Sequence, residues 1–181
     1  MRKIQSVNKR LFKRGYGVLL LLAFASSGCA GRVSGDLKDV AGNVFLKTCD
    51  QSSASYALKY SSDAVDDYAD ESFAGKVSSA SFGLIPTYSR TLVHSQVTVF
   101  KNSSPVRTLQ YQSTVHKFYG FMWIFVLSTE DVNRLQADEG GGIRVRWGIH
   151  DKTISKAVNQ LGLNPETDEV CEIPDAQFLD L

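Results

Sequence analysis

Chemistry in this chain would have to come from three cysteines (Cys29, Cys49, Cys171), three histidines (His94, His116, His150) and a few charged clusters. His94 and His116 lie on two consecutive stretches of alternating character, a few residues out of mirror register about Ser103-Ser104. Two histidines on adjacent strands can ligate a metal. No third ligand accompanies them, so both read as ordinary strand residues facing water. His150-Asp151 has the composition of an acid–base dyad, but it sits at an expected strand end and helix start, where capping alone explains Asp. The acidic patch of Asp63, Asp66, Asp67, Asp70 and Glu71 lacks the central Gly and closing Glu of a calcium loop. Arg144 and Arg146, one pleat apart on an expected strand, could grip a carboxylate or phosphate; cross-strand pairing or edge protection explains them as well. The sequence contains no G-x-S-x-G, H-E-x-x-H, P-loop or dinucleotide fingerprint. Gly140-Gly141-Gly142 precedes an expected strand, not the helix N-terminus that cradles a phosphate. No catalytic residue, metal site or cofactor is assigned from the sequence, and an enzyme is not expected.

The residues before Cys29 set it apart from the other cysteines. Positions 1–28 carry six basic residues and no acidic one, then an apolar run from Tyr16 to Ala25, then Ser26-Ser27-Gly28. Basic flank, apolar core and small-residue exit make a secretory signal that is removed on maturation. The apolar run is about ten residues, half of what a spanning helix needs. A cysteine directly after Ser-Gly resembles the lipobox of bacterial lipoproteins, with Ser26 where that pattern usually has an aliphatic residue. The resemblance implies cleavage before Cys29, diacylglycerol on its thiol and acylation of the new amino terminus. Ala30 in the next position implies the outer membrane, facing the periplasm. Two or more acyl chains hold a protein firmly where a single one binds reversibly. Ala23-Phe24-Ala25 is also a small-x-small site for ordinary signal peptidase, which would release a soluble periplasmic form.

Cleavage before Cys29 leaves about 150 residues, the size of one domain. Removing the six basic residues of the signal from the 20 in the chain leaves 14 against 19 acidic, a net charge of −5. That balance argues against nucleic acid, and against anionic lipid headgroups, as partners. With Cys29 acylated, Cys49 and Cys171 are an even pair in an oxidising compartment. A disulfide between them would close a loop of more than a hundred residues and contribute roughly 4 to 5 kcal/mol. Two buried free thiols are the alternative. Neither cysteine has His or Cys at zinc-ligand spacing.

The elements that would position these residues follow from periodicity. Residues 29–43 are rich in Gly, Ser and Asp and read as a flexible tether from the acylated Cys29. Val44 to Cys49 and Tyr56 to Tyr60 suggest short strands. Leu92 to Phe100 and Val106 to Tyr119 alternate with period two across an Asn/Ser/Pro break, which predicts a long antiparallel hairpin. Phe118 to Leu127 is the most hydrophobic stretch after the signal. It reads as a buried central strand or, alternatively, as an aromatic edge in which Phe121, Trp123 and Phe125 meet a membrane or a partner. Ser128 opens an expected helix that Gly140 ends. Ile143 to His150 reads as a strand, Asp151 to Leu161 as a helix capped by Gly162, and Asn164 to Leu181 as a surface tail held by Cys171.

The expected fold is α+β: an antiparallel β-sheet with a long central hairpin and two short C-terminal helices packed on one face. The expected organisation is a signal peptide over 1–28, the tether over 29–43 and one globular domain over 44–181. From roughly Ser81 to Leu163 this layout resembles small uncharacterised bacterial lipoproteins, which implies no activity. The functional expectation is a lipid-anchored envelope domain with a structural or protein-interaction role, its partners the membrane and an envelope protein. A periplasmic binding module for a small apolar or lipidic ligand is the alternative.

Overall fold

Among the described residues nine elements follow one another: β1 (Ala30–Gly35), β2 (Lys47–Thr48), β3 (Tyr56–Ala64), α1 (Phe73–Ala80), β4 (Thr87–Lys101), β5 (Ser104–Tyr119), β6 (Arg134–Gln136), α2 (Ile143–Leu161) and β7 (Val170–Ile173). The structure, a computed structural model, describes residues 30–50, 54–64, 73–81, 83–120, 123, 131–136 and 143–174. The strands form one seven-stranded sheet in the order β2-β7-β3-β4-β5-β1-β6. The class is α+β, but the sheet is mixed. β7 runs parallel to both β2 and β3, and every other pairing is antiparallel.

β4 and β5 pair along almost their whole length, joined through Asn102 and Ser103. Both turn residues have positive φ, 49° and 66°. Two left-handed central residues give the turn whose twist matches that of paired strands. A register shift at Val99/Phe100 leaves Val106 unopposed and 56% exposed. Odd-numbered residues of both strands, among them Val93, Val97, Val99, Leu109, Tyr111 and Val115, are buried on one face. α2 covers that face. Ile154, Ala157 and Val158 pack with Leu58, Tyr60, Val97 and Leu109, while Val145 and Ile149 pack with Val33, Leu37, Val93, Val115 and Leu135. Between the two clusters Thr153 Oγ1 donates to Ser95 Oγ at 3.1 Å. The even-numbered residues form the opposite, outer face.

Several expectations are corrected here. Residues 29–43 were expected to be a tether; Ala30–Gly35 is instead a strand between β5 and β6. Alternation in Arg32, Val33 and Ser34 drives it, because Val33 and, just beyond the strand, Leu37 are buried at 3% and 0%. The sheet therefore includes residues that precede 44. Ile143 to His150 is the first half of α2 and not a strand. Val145 and Ile149 satisfy period two and an i, i+4 spacing equally, and Trp147, on the other side of the helix, is 45% exposed. The described part of the expected helix after Ser128 is a turn and the short strand β6. Asp131 Oδ1 accepts the Asn133 N–H at 2.9 Å, a side-chain turn that competes with helix. Among the described residues, one helix of 19 residues stands where two short C-terminal helices were expected, and the 8-residue α1 precedes β4.

The end of α2 follows the sequence. Gly162 has φ 65°, its N–H bonds Asn159 O and the Leu163 N–H bonds Val158 O, the paired closure of a Schellman cap. In the described part of the expected surface tail, up to residue 174, Val170–Ile173 instead enters the sheet as β7, and Cys171 is joined to Cys49 by a disulfide with Cα atoms 5.8 Å apart. Among the described residues no helix is long and apolar enough to cross a membrane.

Candidate functional site

The outer face carries its charge in one row. Arg90 on β4 is opposite His116 on β5, His116 is opposite Arg32 on β1, and Arg32 is opposite Arg134 on β6. Neighbouring strands lie about 4.8 Å apart, so the row spans roughly 14 Å. Arg90 and Arg134 are exposed, with no carboxylate partner among the described residues. Arg32 Nη2 pairs with Asp131 Oδ2 at 3.1 Å. The carboxyl of Asp131 is held below the usual range, first by the Asn133 N–H and also by Arg32 and Lys152. His116 meets the Ser34 hydroxyl at Nε2 (2.7 Å) and the Tyr88 hydroxyl at Nδ1 (2.6 Å). Burial, assisted by the charge of Arg90, lowers its pKa and favours the neutral ring.

One residue pair closer to the start of β1 the character changes from charged to aromatic. Tyr88 is opposite Phe118, which is opposite Ala30. Tyr88 stacks on His116 and leans on Phe118, and Phe118 contacts Trp123 at 5.0 Å between centroids. Trp123 lies in a turn after β5, with its indole N–H on Thr87 O at 3.0 Å. Gly120, at φ 107°, ends β5; a Cβ there would meet Gly83 O at 2.8 Å. That close crossing brings the 83–86 segment across the same end of the sheet, with Leu84 65% and Ile85 51% exposed. Thr87 Oγ1 donates to Ala74 O and ties α1 there too, with Phe73 82% exposed. Among the described residues, half of the large exposed apolar side chains (Phe73, Leu84, Ile85 and Tyr88) are thus at the end of the sheet where β1 begins.

A second feature is the uncovered edge of β5. β1 covers only Ser113 to Phe118. At Gln112 the edge is closed by Asp36, whose N–H donates to Gln112 O at 3.0 Å and whose Oδ2 accepts the Gln112 N–H at 2.7 Å. By the period of two, Gln110 and Thr108 turn their own N–H and C=O groups the same way. Among the described residues no strand pairs with them on that side. Beside this edge lies an open hollow of about 330 Å³, lined by Arg107, Gln110, Lys156 and Gln160 among others.

The third feature joins α2 to β7. His150 is bonded at Nδ1 to Asp151 Oδ1 (3.0 Å) and at Nε2 to Glu172 Oε1 (2.5 Å), with Tyr60 edge-on to its ring. Burial opposes its protonation, but the two carboxylate bonds prevail and raise its pKa to about 9. An imidazolium that donates at both nitrogens has no lone pair to act as a base. Its chemistry is that of a fixed cation between two anions.

Of the residues singled out in the sequence, the structure brings together Cys49 with Cys171 and His150 with Asp151. It separates His94 from His116: His94 is opposite Gln112, four positions along β5 from His116. Among the described residues no three His, Cys, Asp or Glu side chains are placed to hold a metal. Arg144 and Arg146 lie two apart on a helix, where they do not share a face. Asp63 is exposed on β3, and the rest of the acidic patch lies outside the described residues, as do Cys29, Phe121 and Phe125. Sequence reasoning missed the row containing Arg32, Arg90 and Arg134, because no local pattern tells which strands become neighbours. No protein-family model matches this chain, and neither a curated protein nor a solved structure matches it.

Proposed function

We propose that this protein is a lipid-anchored envelope domain, held at Cys29 and placed in the outer membrane facing the periplasm, that binds a protein partner and carries out no catalysis. The observation that carries this reading is the open edge of β5 at Thr108 and Gln110. An exposed run of strand N–H and C=O groups is a template for a partner strand, with main-chain bonds giving affinity and side-chain pockets giving specificity. We read β4 and β5 as one long hairpin that serves as the spine of the domain. It puts the edge six residues, roughly 20 Å, from the row at His116 and so clear of the anchored end. Both outermost strands of the sheet, β2 and β6, are three residues or shorter. The β5 edge is therefore the better template.

The ligand-binding alternative has less behind it. A concavity of about 560 Å³ on the sheet is open and lined mostly by residues with polar side chains, among them Asp36, Asp63, His94, Gln96, Gln110 and Gln112. Apolar and lipidic ligands need apolar walls.

The test is site-specific photo-crosslinking in cells, with the reactive residue at Thr108 or, as a control, at exposed Lys59. A discrete adduct is expected from position 108 only. Gln110→Pro should abolish it, since proline removes one edge N–H without touching the β4 ladder. Equal adducts from both positions, or an adduct that survives Gln110→Pro, would refute the edge as the binding site.

A further inference from the structure

We propose that Arg90, Arg32 and Arg134, aligned across His116, form a docking row for the phosphates of anionic lipid headgroups, holding the anchored end of the domain against the bilayer. The inference rests on the acylation of Cys29. Ala30 follows Cys29 directly and already belongs to β1, so no flexible spacer separates the lipid from the sheet. Arg32 is two residues further on, roughly 7 Å along the strand. In a chain anchored at Cys29 the row therefore lies at the depth of headgroups, not out in solution.

Three observations support that occupant. First, like charges directly opposite on neighbouring strands destabilise a sheet, and Arg32 is directly opposite Arg134 with Arg90 beyond His116. Among the described residues, the one carboxylate paired with this cluster is that of Asp131. An anion bound across the row removes the repulsion. Second, guanidinium groups match phosphate oxygens bidentately. Third, the residues nearest the anchor are those that favour the membrane interface. Trp and Tyr concentrate at headgroup level, and Tyr88 and Trp123 sit beside Phe118, one residue pair closer to Cys29 than the row. The exposed Phe73, Leu84 and Ile85 share that end, ready to enter the region of the acyl chains. Apolar tips below and arginines above give the polarity of a surface lying on a bilayer. The net charge of −5 is a property of the whole mature chain; among the described residues the row itself carries three arginines and one paired carboxylate, Asp131.

The test uses the acylated protein with Trp147→Phe, so that Trp123 alone reports, incorporated into vesicles whose lipids are brominated near the headgroup. Flotation with the vesicles is scored first. Trp123 should be quenched strongly when phosphatidylglycerol is mixed into phosphatidylcholine, and much less in phosphatidylcholine alone. Each arginine near an anionic surface is worth roughly a fivefold change in the docking equilibrium. Arg90→Gln with Arg134→Gln should therefore lower docking by roughly twenty-five-fold, and added salt should weaken it. Lys59→Gln, on the same face eight or more strand positions away, should leave it unchanged. Protein that floats but shows the same Trp123 quenching in both lipids, or in the double variant, overturns the row and leaves the anchor standing. Protein that does not float overturns the anchor and the inference with it. Loss of quenching on adding inorganic phosphate, but not chloride of equal ionic strength, identifies a soluble phosphate site and overturns the membrane reading.

Discussion

His150 on α2 and Glu172 on β7 meet at 2.5 Å, and this contact fixes the helix to the strand that carries Cys171. The His150 pKa is raised to about 9 against an ordinary 6.5. Its contribution to stability is therefore fully present below pH 6.5 and is lost as the pH rises through about 9. The shift corresponds to about 3 kcal/mol. Urea midpoints should fall between pH 6.5 and 9.5, and Glu172→Gln should flatten that dependence. A wild-type midpoint that rises across the interval would contradict the assignment.

Cys49 and Cys171 close a loop of 122 residues. Cys49→Ala with Cys171→Ala should lower the unfolding free energy by roughly 4 kcal/mol, because the open chain gains conformational freedom. Chemical denaturation of the variant checks the value, and wild type in reductant should match it. Non-reducing peptide mapping should recover the two residues as one crosslinked species.

Lys152 is 5% exposed, and its ammonium donates to Val40 O and Val132 O, both at 2.6 Å. It holds two loops against α2 from beneath, and burial lowers its pKa. Lys152→Met keeps most of the packed volume and removes both bonds, leaving two carbonyls without this donor. A loss of about 2 to 3 kcal/mol is expected. Hydrogen exchange should locate the loosening at residues 36–40 and 131–134, and an unchanged exchange pattern there would count against the role.

Gln110→Pro should leave thermal stability within about 1 kcal/mol of wild type, since its N–H faces away from β4. Thr91→Pro, at a buried position inside the sheet, should be severely destabilising by contrast. Thermal melts of the pair test whether the outer side of β5 is open, independently of any partner.

The strand pattern was legible wherever one face is dry and the other wet. Val93, Val97 and Val99 on β4, and Leu109, Tyr111 and Val115 on β5, announce their faces by alternation. The signal failed where residues fit two periods at once. Val145 and Ile149 are four residues apart, on one side of a strand and one turn apart on a helix, and the packing of α2 on the sheet decides between them. It also failed at β1, because the Gly-, Ser- and Asp-rich stretch over 29–43 that contains it reads as a linker although Val33 is anchored in the core. The disulfide was legible in the sequence from the count, because Cys49 and Cys171 are the even pair left when Cys29 is set aside. The docking row did not, because Arg32, Arg90 and Arg134 are far apart in the chain and become neighbours only through the strand order β4-β5-β1-β6.

The anchor itself is tested by mass spectrometry of the amino-terminal peptide from membrane-purified protein. The account predicts a mature chain that begins at Cys29, with fatty acyl groups on its thiol and amino terminus. A chain that begins at Ser26 with an unmodified Cys29 would contradict it.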